Sequence, residues 1–242
     1  MDILYLLLIA IGIMVASYLI GGIPTALIFS KIKGVDIRKY GSGNLGGTNA
    51  GRVLGKKYGI AVMAIDIIKS YIPCLIVALC FTLIDMDFLP NFFQRTELMV
   101  SLTGIAVCLG HVFTPYQHFK GGKAVACFAG YILLTAPLIA LIGAIIFFLA
   151  LKFAKRVSVG SILGIPCCFL ISIIPAILDF TVLYDPTTFN GGMYFSSTCM
   201  IHLTYITTLT CLFLSILVVL RHMANIKRLA KGEEPETHFK KN

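Results

Sequence analysis

Apolar residues fall in long blocks along this chain, separated by short polar loops rich in Lys and Arg. A helix needs about 20 apolar residues to cross the hydrocarbon core of a bilayer. Ile3–Phe29, Ile60–Ile84, Val159–Leu178 and Met200–Leu220 meet that length, and Leu98–Phe113 falls short of it. One further apolar stretch, 124–151, is interrupted by Gly130, Pro137 and Gly143. It reads either as one long helix or as two short ones joined near Ala136-Pro137.

Composition agrees with the pattern. Of the 242 residues, 58% are hydrophobic and only 13% charged, with a mean hydropathy of +0.91. Soluble domains carry roughly 25% charged residues, and a water-soluble globule of this size could not cover so much apolar surface. A cytosolic enzyme, a disordered regulator and a secreted disulfide scaffold are thereby excluded. The eight Cys lie in or beside apolar segments without metal-type pairs, so they read as small packing residues. The apolar run from Ile3 is longer than the core of a cleavable signal peptide, and Met1-Asp2 supplies no basic segment ahead of it.

The net charge is +9, and its placement sets the orientation. If 124–151 is a hairpin, the loop Lys31–Lys57, Lys120 and Lys123, the cluster Lys152, Lys155 and Arg156, and the tail from Arg221 all fall on one side. That side then holds 18 of the 20 Lys and Arg. The opposite side keeps Arg95, among Asp85, Asp87 and Glu97, and a 181–199 loop without Lys or Arg; Lys69 lies within a span. Basic loops mark the cytoplasmic face. The expectation is an all-α integral membrane protein with about seven transmembrane helices, N-terminus outside and C-terminus cytoplasmic, forming a single domain over 1–242. Basic loops at a membrane face point to anionic lipid head groups or phosphorylated substrates rather than nucleic acid.

Three polar constellations interrupt this apolar chain. The first is Lys39-Tyr-Gly-Ser-Gly-Asn-Leu-Gly-Gly-Thr-Asn-Ala-Gly-Arg52. Glycines such as Gly41 and Gly43 allow positive φ and close approach of the backbone to a ligand, and successive amides in such turns bind anions. Ser42, Asn44, Thr48 and Asn49 add donors, and Arg52 adds a fork that fits phosphate. Residues 41–46 match G-x-G-x-x-G, but an apolar helix precedes them where a dinucleotide site needs a strand. The second is Gly110-His111 followed by Phe119-Lys120-Gly121-Gly122-Lys123 at a helix start, where free amides would favour an anion. The third begins at Arg221-His222-Met-Ala-Asn225 and ends at Glu234, with His222 and Asn225 on one helix face. Asp66 and Lys69, also three apart, read as a mutual ion pair inside a span. Arg156-Val-Ser158-Val-Gly160-Ser161 adds a polar group at the same face. No His/Cys/Asp/Glu set reads as a metal site.

These constellations, in this order, resemble the signatures of the bacterial membrane acyl-phosphate:glycerol-3-phosphate acyltransferase family. Residues 41–52 match its G-S-G-N-P-G-A-T-N-x-x-R motif with Leu45 for Pro and Gly47 for Ala. Gly110-His111 and 119–127 match G-H…F-K-G-G-K-G-V-A-T with Ala124 for Gly and Cys127 for Thr. Arg221 to Glu234 match R-H-x-x-N-I-x-R-L-x-x-G-x-E without a gap. The resemblance implies transfer of a fatty acyl group from acyl phosphate to the 1-hydroxyl of glycerol 3-phosphate. The products would be lysophosphatidate and phosphate, at the first step of phospholipid synthesis, in the bacterial inner membrane with the site facing the cytoplasm. It implies no cofactor, and as a partner the soluble enzyme that supplies acyl phosphate.

The roles it implies are these. Ser42, Arg52, Lys123 and Ser158 hold phosphate or developing charge. Thr48 and Asn49 line the same pocket, with Gly41, Gly43 and Asn44 in its loop, and Lys120, Gly121 and Gly122 form a second loop. His222 and Asn225 position the acceptor, and Glu234 braces the motif. None of the five His has an Asp five positions on, so the His–Asp base of other glycerolipid acyltransferases is missing. Acyl phosphate is already activated, and the acceptor's phosphate is then the expected proton acceptor, with His222 donating a hydrogen bond. A transporter of phosphorylated metabolites is the competing reading, weakened by the lack of a polar path through the spans.

Overall fold

The computed structural model describes residues 3–83, 96–182 and 205–237; the expectations for Asp85, Asp87, Arg95 and most of the 181–199 loop fall outside them. The described helices are α1 (Ile3–Gly22), α2 (Thr25–Ile32), α3 (Gly47–Val53), α4 (Lys56–Leu83), α5 (Thr96–Val112), α6 (Val125–Thr135), α7 (Pro137–Ala154), α8 (Val157–Val182), α9 (Tyr205–Arg221) and α10 (Met223–Ala230). The first apolar run is therefore broken: α1 stops at Gly22, and Pro24, whose ring suits a helix start and not an interior, precedes α2.

Glycine lets the helices approach. A side chain at Gly21 would meet the Val107 backbone, and one at Gly110 would meet the Tyr18 carbonyl, so α1 and α5 lie in backbone contact. Gly130 seats α6 against the Ile67 carbonyl of α4, and Gly143 and Gly164 do the same between α7 and α8. In a bilayer, where apolar contact between helices gains little over lipid, such small-residue seams carry the association. Tyr131 of α6 is fully buried among Met99, Val100 and Leu214, with its hydroxyl 2.9 Å from Ser101 Oγ of α5. Large side chains left outside, such as Ile68, Phe148, Phe153 and Ile174, form the apolar girdle that lipid covers.

The interrupted stretch is two helices, hinged at Ala136 ahead of Pro137. They form a hairpin, because the residues before α6 and after α7 touch the same C-terminal tail. Lys123 Nζ donates to Asn225 Oδ1. Beyond α7, Arg156 Nε donates to the Glu234 carbonyl at 2.8 Å, and Thr237 N donates to the Lys155 carbonyl at 2.8 Å. By length and apolarity, five helical stretches among the described residues can cross a membrane, or six if the pair α9–α10, bent by 56°, is one of them. The expectation of about seven differs chiefly at α6, only 11 residues long. Its Cys127, Phe128, Gly130, Tyr131 and Ile132 are buried in protein, and a short helix is tolerated there because lipid does not meet its ends.

Candidate active site

The polar loops converge at the end of the bundle where α1, α5, α7 and α9 finish. The first constellation is built around Asn49. That side chain is 1% exposed; its Nδ2 donates to the Ile37 and Tyr40 carbonyls at 3.0 and 3.2 Å, and its Oδ1 accepts from Ser42 N at 2.9 Å. Gly41 and Gly43 turn the chain with φ of +62° and +67°. Gly47 and Gly51 serve another purpose: they let α3 lie against Gly59 of α4, where a side chain would come within 3 Å of backbone. Asn49 was expected to line the phosphate pocket. Its amide is instead fully committed to holding the loop, which leaves Ser42 exposed and Asn44, Thr48 and Arg52 half-buried at its surface.

The second constellation also departs from expectation. Gly121 N donates to the Val112 carbonyl at 3.0 Å and Gly122 N to the His111 carbonyl at 2.9 Å. These two loop amides thus satisfy the last carbonyls of α5, as helix C-termini require, while the helix start itself lies further on, at Val125. A side chain at Gly122 would strike the His111 ring, so this glycine is a packing requirement. Lys120 is exposed. Lys123 alone turns inward, half-buried at the start of α6. Burial, set against the attraction of Glu234 and reinforced by the charges of Arg228, Arg52 and Arg221, pushes its pKa down to about 8.

The third constellation centres on Glu234, 4% exposed. Its Oε1 accepts from Ser158 Oγ at 2.8 Å and Asn225 Nδ2 at 2.6 Å, and its Oε2 accepts from Arg228 Nε at 2.7 Å. Burial would raise its pKa, but these hydrogen bonds hold it below the ordinary carboxylate range. Asn225 in turn presents its Oδ1 to Lys123. Arg52 Nη2 reaches the Pro235 carbonyl at 3.4 Å. One carboxylate therefore lies within the influence of three cations, Arg52, Lys123 and Arg228, with Arg221 close enough to act on Lys123 and His222.

His222 stands in the bend between α9 and α10, 2% exposed. Its Nδ1 donates to the Val218 carbonyl at 2.8 Å, which leaves Nε2 without a proton in the neutral ring. Burial and the neighbouring Lys123 charge push its pKa down to about 4. At neutral pH His222 thus offers an acceptor, where a donor was expected.

Beneath the site, Lys69 Nζ bonds Asp66 Oδ1 at 2.8 Å, the Ile23 carbonyl at 3.0 Å and His111 Nδ1 at 3.0 Å. Thr25 Oγ1 donates to Asp66 at 2.9 Å. The expected ion pair is present, and it ties the α1–α2 break to α4 and α5.

The structure brings Arg52, Lys123, Ser158, His222 and Asn225 to one place. It leaves Lys120 at the surface and turns Asn49, Gly121 and Gly122 into scaffold. Sequence reasoning gave no role to Arg221, Arg228 or Thr237. The first two were visible as cations in the third motif. Thr237, whose Oγ1 accepts from Val157 N at 3.0 Å, had no local signal, because its partner is 80 residues away.

Comparison with known proteins adds an independent line. The family model described as glycerol-3-phosphate acyltransferase matches residues 11–232. A glycerol-3-phosphate acyltransferase of Chlorobium chlorochromatii (strain CaD3) is 38% identical over 240 residues, 96% of this chain and 98% of the relative. That of Bacillus subtilis (strain 168) is 40% identical over 229 residues, 94% and 97% of the two chains. Crystal structures of PlsY, an integral membrane glycerol 3-phosphate acyltransferase, superpose on this fold. The glycerol 3-phosphate form has a TM-score of 0.74 at 28% identity, covering 95% of this chain and 96% of the other. The lysophosphatidic acid form has 0.72 at 27%, covering 94% of each.

Proposed function

The chain belongs to the glycerol-3-phosphate acyltransferase family, and from that premise we propose that it works as one domain over 1–242, taking its acyl group from acyl phosphate. It is a multi-pass membrane enzyme that acylates glycerol 3-phosphate to lysophosphatidate. The observation that carries the donor reading is the excess of positive charge where apolar helices end. Arg52, Lys123 and Arg228 gather around Glu234, with Arg221 close to Lys123. Such a surplus in a half-buried site favours anions, and acyl phosphate with glycerol 3-phosphate brings two phosphates to it.

In this reading Arg52, Ser42 and Thr48 take the acceptor's phosphate, with Gly41, Gly43 and Asn44 shaping the loop. Lys123 and Ser158 face the charge that develops as the carbonyl is attacked. The acceptor's 1-hydroxyl oxygen forms the new ester bond to the acyl carbon. The bond from that carbon to the phosphate oxygen breaks, and inorganic phosphate leaves with the electron pair. The hydroxyl proton passes to the acceptor's own phosphate, whose second pKa is about 6 by analogy with other phosphomonoesters. His222, too weak a base near pKa 4, receives a hydrogen bond from the glycerol through Nε2 and fixes its rotation, beside Asn225.

Purified protein supplied with labelled acyl phosphate and glycerol 3-phosphate should release lysophosphatidate and phosphate in equal amounts. No ester product would overturn the donor reading. The site faces the cytoplasm, where the soluble enzyme that makes acyl phosphate would deliver it, and seven crossings of the bacterial inner membrane place the N-terminus outside. Cysteine at Lys39 or Lys231 should then resist an impermeant thiol reagent in intact cells, while cysteine within 185–192 should react. Labelling of the Lys231 position from outside would refute this orientation.

A further inference from the structure

Among the described residues, two buried side-chain nitrogen or oxygen atoms lack a hydrogen-bond partner: Ser70 Oγ on α4 and Arg221 Nε at the end of α9. The second is the more unusual. A guanidinium carries five donors, and a charged donor buried without an acceptor is among the costliest polar defects in a fold. Arg221 is half-buried with its Nε enclosed, whereas the buried charges near the site are matched. Asp66 and Lys69 hold each other, and Glu234 is held by Ser158, Asn225 and Arg228.

Arg221 is retained by an aromatic face instead. Its guanidinium carbon lies 5.9 Å from the ring centre of Phe113, an arrangement that stabilises the charge while leaving donor edges unused. Phe113 directly follows α5, and Arg221 is the last residue of α9, so the pair sits at the level where the apolar helices end. Phe113 itself is held by its carbonyl, which accepts from Tyr18 of α1. Phe113 is 40% exposed. Arg52 lies elsewhere, on α3 in the polar loop, against the tail carbonyl of Pro235. Lys123 feels the charges of Arg52, Arg228 and Arg221 alike. His222 feels both Lys123 and Arg221.

We propose that Arg221 anchors the phosphate of the acyl donor, at the membrane end of a row of cations whose water-side end, Arg52, receives the phosphate of the acceptor. The two substrates differ in the way this row differs along its length. Acyl phosphate carries its chain in the bilayer, so its head group must lie level with the helix ends, and the Phe113 ring offers the first methylenes an apolar contact. Glycerol 3-phosphate arrives from water and meets the loop. Lys123, in the middle, is then reached by both. The inference rests on acyl phosphate being the donor and goes beyond it by dividing the cations between the two substrates.

The test uses Arg221→Lys and Arg221→Gln in the full-length protein, with both KM values measured for each variant. Inhibition by a long-chain alkyl phosphate, which carries the chain and the phosphate but cannot transfer an acyl group, gives a pure binding readout. Losing a paired, charged hydrogen bond should raise the donor KM and the alkyl phosphate Ki by about tenfold to a hundredfold. The acceptor KM should stay within about twofold of wild type. If Arg221→Gln does not fold, judged by its thermal unfolding in detergent, Arg221→Lys decides the matter, because it keeps the charge and loses the fork. An acceptor KM that rises as much as the donor KM, or a donor KM and Ki that do not move, overturns the assignment. Absence of wild-type turnover with acyl phosphate is a different result and sinks the donor reading itself.

Discussion

Lys123 provides the sharpest test of the site's electrostatics. An ordinary lysine titrates near 10.5, whereas burial and three neighbouring cations bring this one down to about 8. That difference corresponds to about 3 kcal/mol of lost preference for the charged form. Burial and like charge weaken the ammonium relative to water without abolishing it, so Lys123 is charged below about pH 8 and discharges above it. A bound phosphate reverses the balance, because it adds a counter-charge to the one that Glu234 supplies. Binding of an anion and protonation of Lys123 are therefore coupled.

The measurement is kcat/KM for glycerol 3-phosphate between pH 6.5 and 9.5, with donor saturating, because this ratio reports the free enzyme's ionisations. It should hold level to about pH 7.5 and then fall about tenfold per pH unit beyond 8 as the charged fraction is lost. The acceptor's own phosphate does not titrate there, its second pKa being about 6. In Lys123→Arg the guanidinium stays charged throughout, so the alkaline limb should vanish even though overall activity drops. A limb near pH 8 that survives in Lys123→Arg would refute the assignment, and so would a wild-type profile flat to pH 9.5.

Arg52→Lys should lower kcat/KM by about tenfold to a hundredfold in a protein that still inserts and folds, since a point charge cannot reproduce a bidentate grip on phosphate; wild-type kinetics would remove Arg52 from the acceptor site. His222→Gln, which keeps an acceptor oxygen, should retain far more kcat than His222→Ala, and an acid limb near pH 6 set by the substrate phosphate should persist in it. Loss of that limb, with equal and near-total inactivation of both variants, would make His222 the base. Asn49→Asp should disorder the loop, because a carboxylate would face the Ile37 and Tyr40 carbonyls that now accept from Asn49. Hydrogen exchange over 40–49 should accelerate while the membrane helices keep their protection; unchanged exchange with a raised acceptor KM would make Asn49 a ligand after all.

What the sequence made legible, and what it hid, follows from the range of each interaction. The hairpin at 124–151 could be inferred because basic residues on one side of a bilayer are a property of composition along the chain, and the contacts of Lys123 and Arg156 with one tail agree with it. The breaks at Pro24 and Pro137 are local and half-visible: Pro137 interrupts its apolar stretch between two glycines, while Pro24 lies inside an apolar run long enough to read as one helix. Residue type also marked which groups gather, since Arg52, Lys123, Ser158, His222 and Asn225 do meet. It could not say which way each group's hydrogen bonds run. Asn49 and the amides of Gly121 and Gly122 have the chemistry of anion donors, and only the folded chain reveals carbonyls already occupying them. His222 changes from donor to acceptor for the same reason, because the Val218 carbonyl accepts the ring's one N–H.

Ala124 shows how the two levels can inform each other. It stands where the resembled motif has glycine, and its backbone is left-handed, with φ of +60° and ψ of 11°. Alanine in that region costs about 1–2 kcal/mol, which explains a glycine there without reference to substrate. The Ala124 methyl is 1% exposed and packs in the main core, and burying one methyl group returns about 0.8 kcal/mol. The two terms nearly cancel, so the departure from the motif is tolerated while the turn that aims Lys123 is kept. The same comparison separates the glycines of the site. Gly41 and Gly43 need positive φ, whereas Gly47, Gly59, Gly110 and Gly122 need only the absence of a side chain. In this fold, glycine density at a phosphate site reflects close packing beneath the site as much as ligand contact above it.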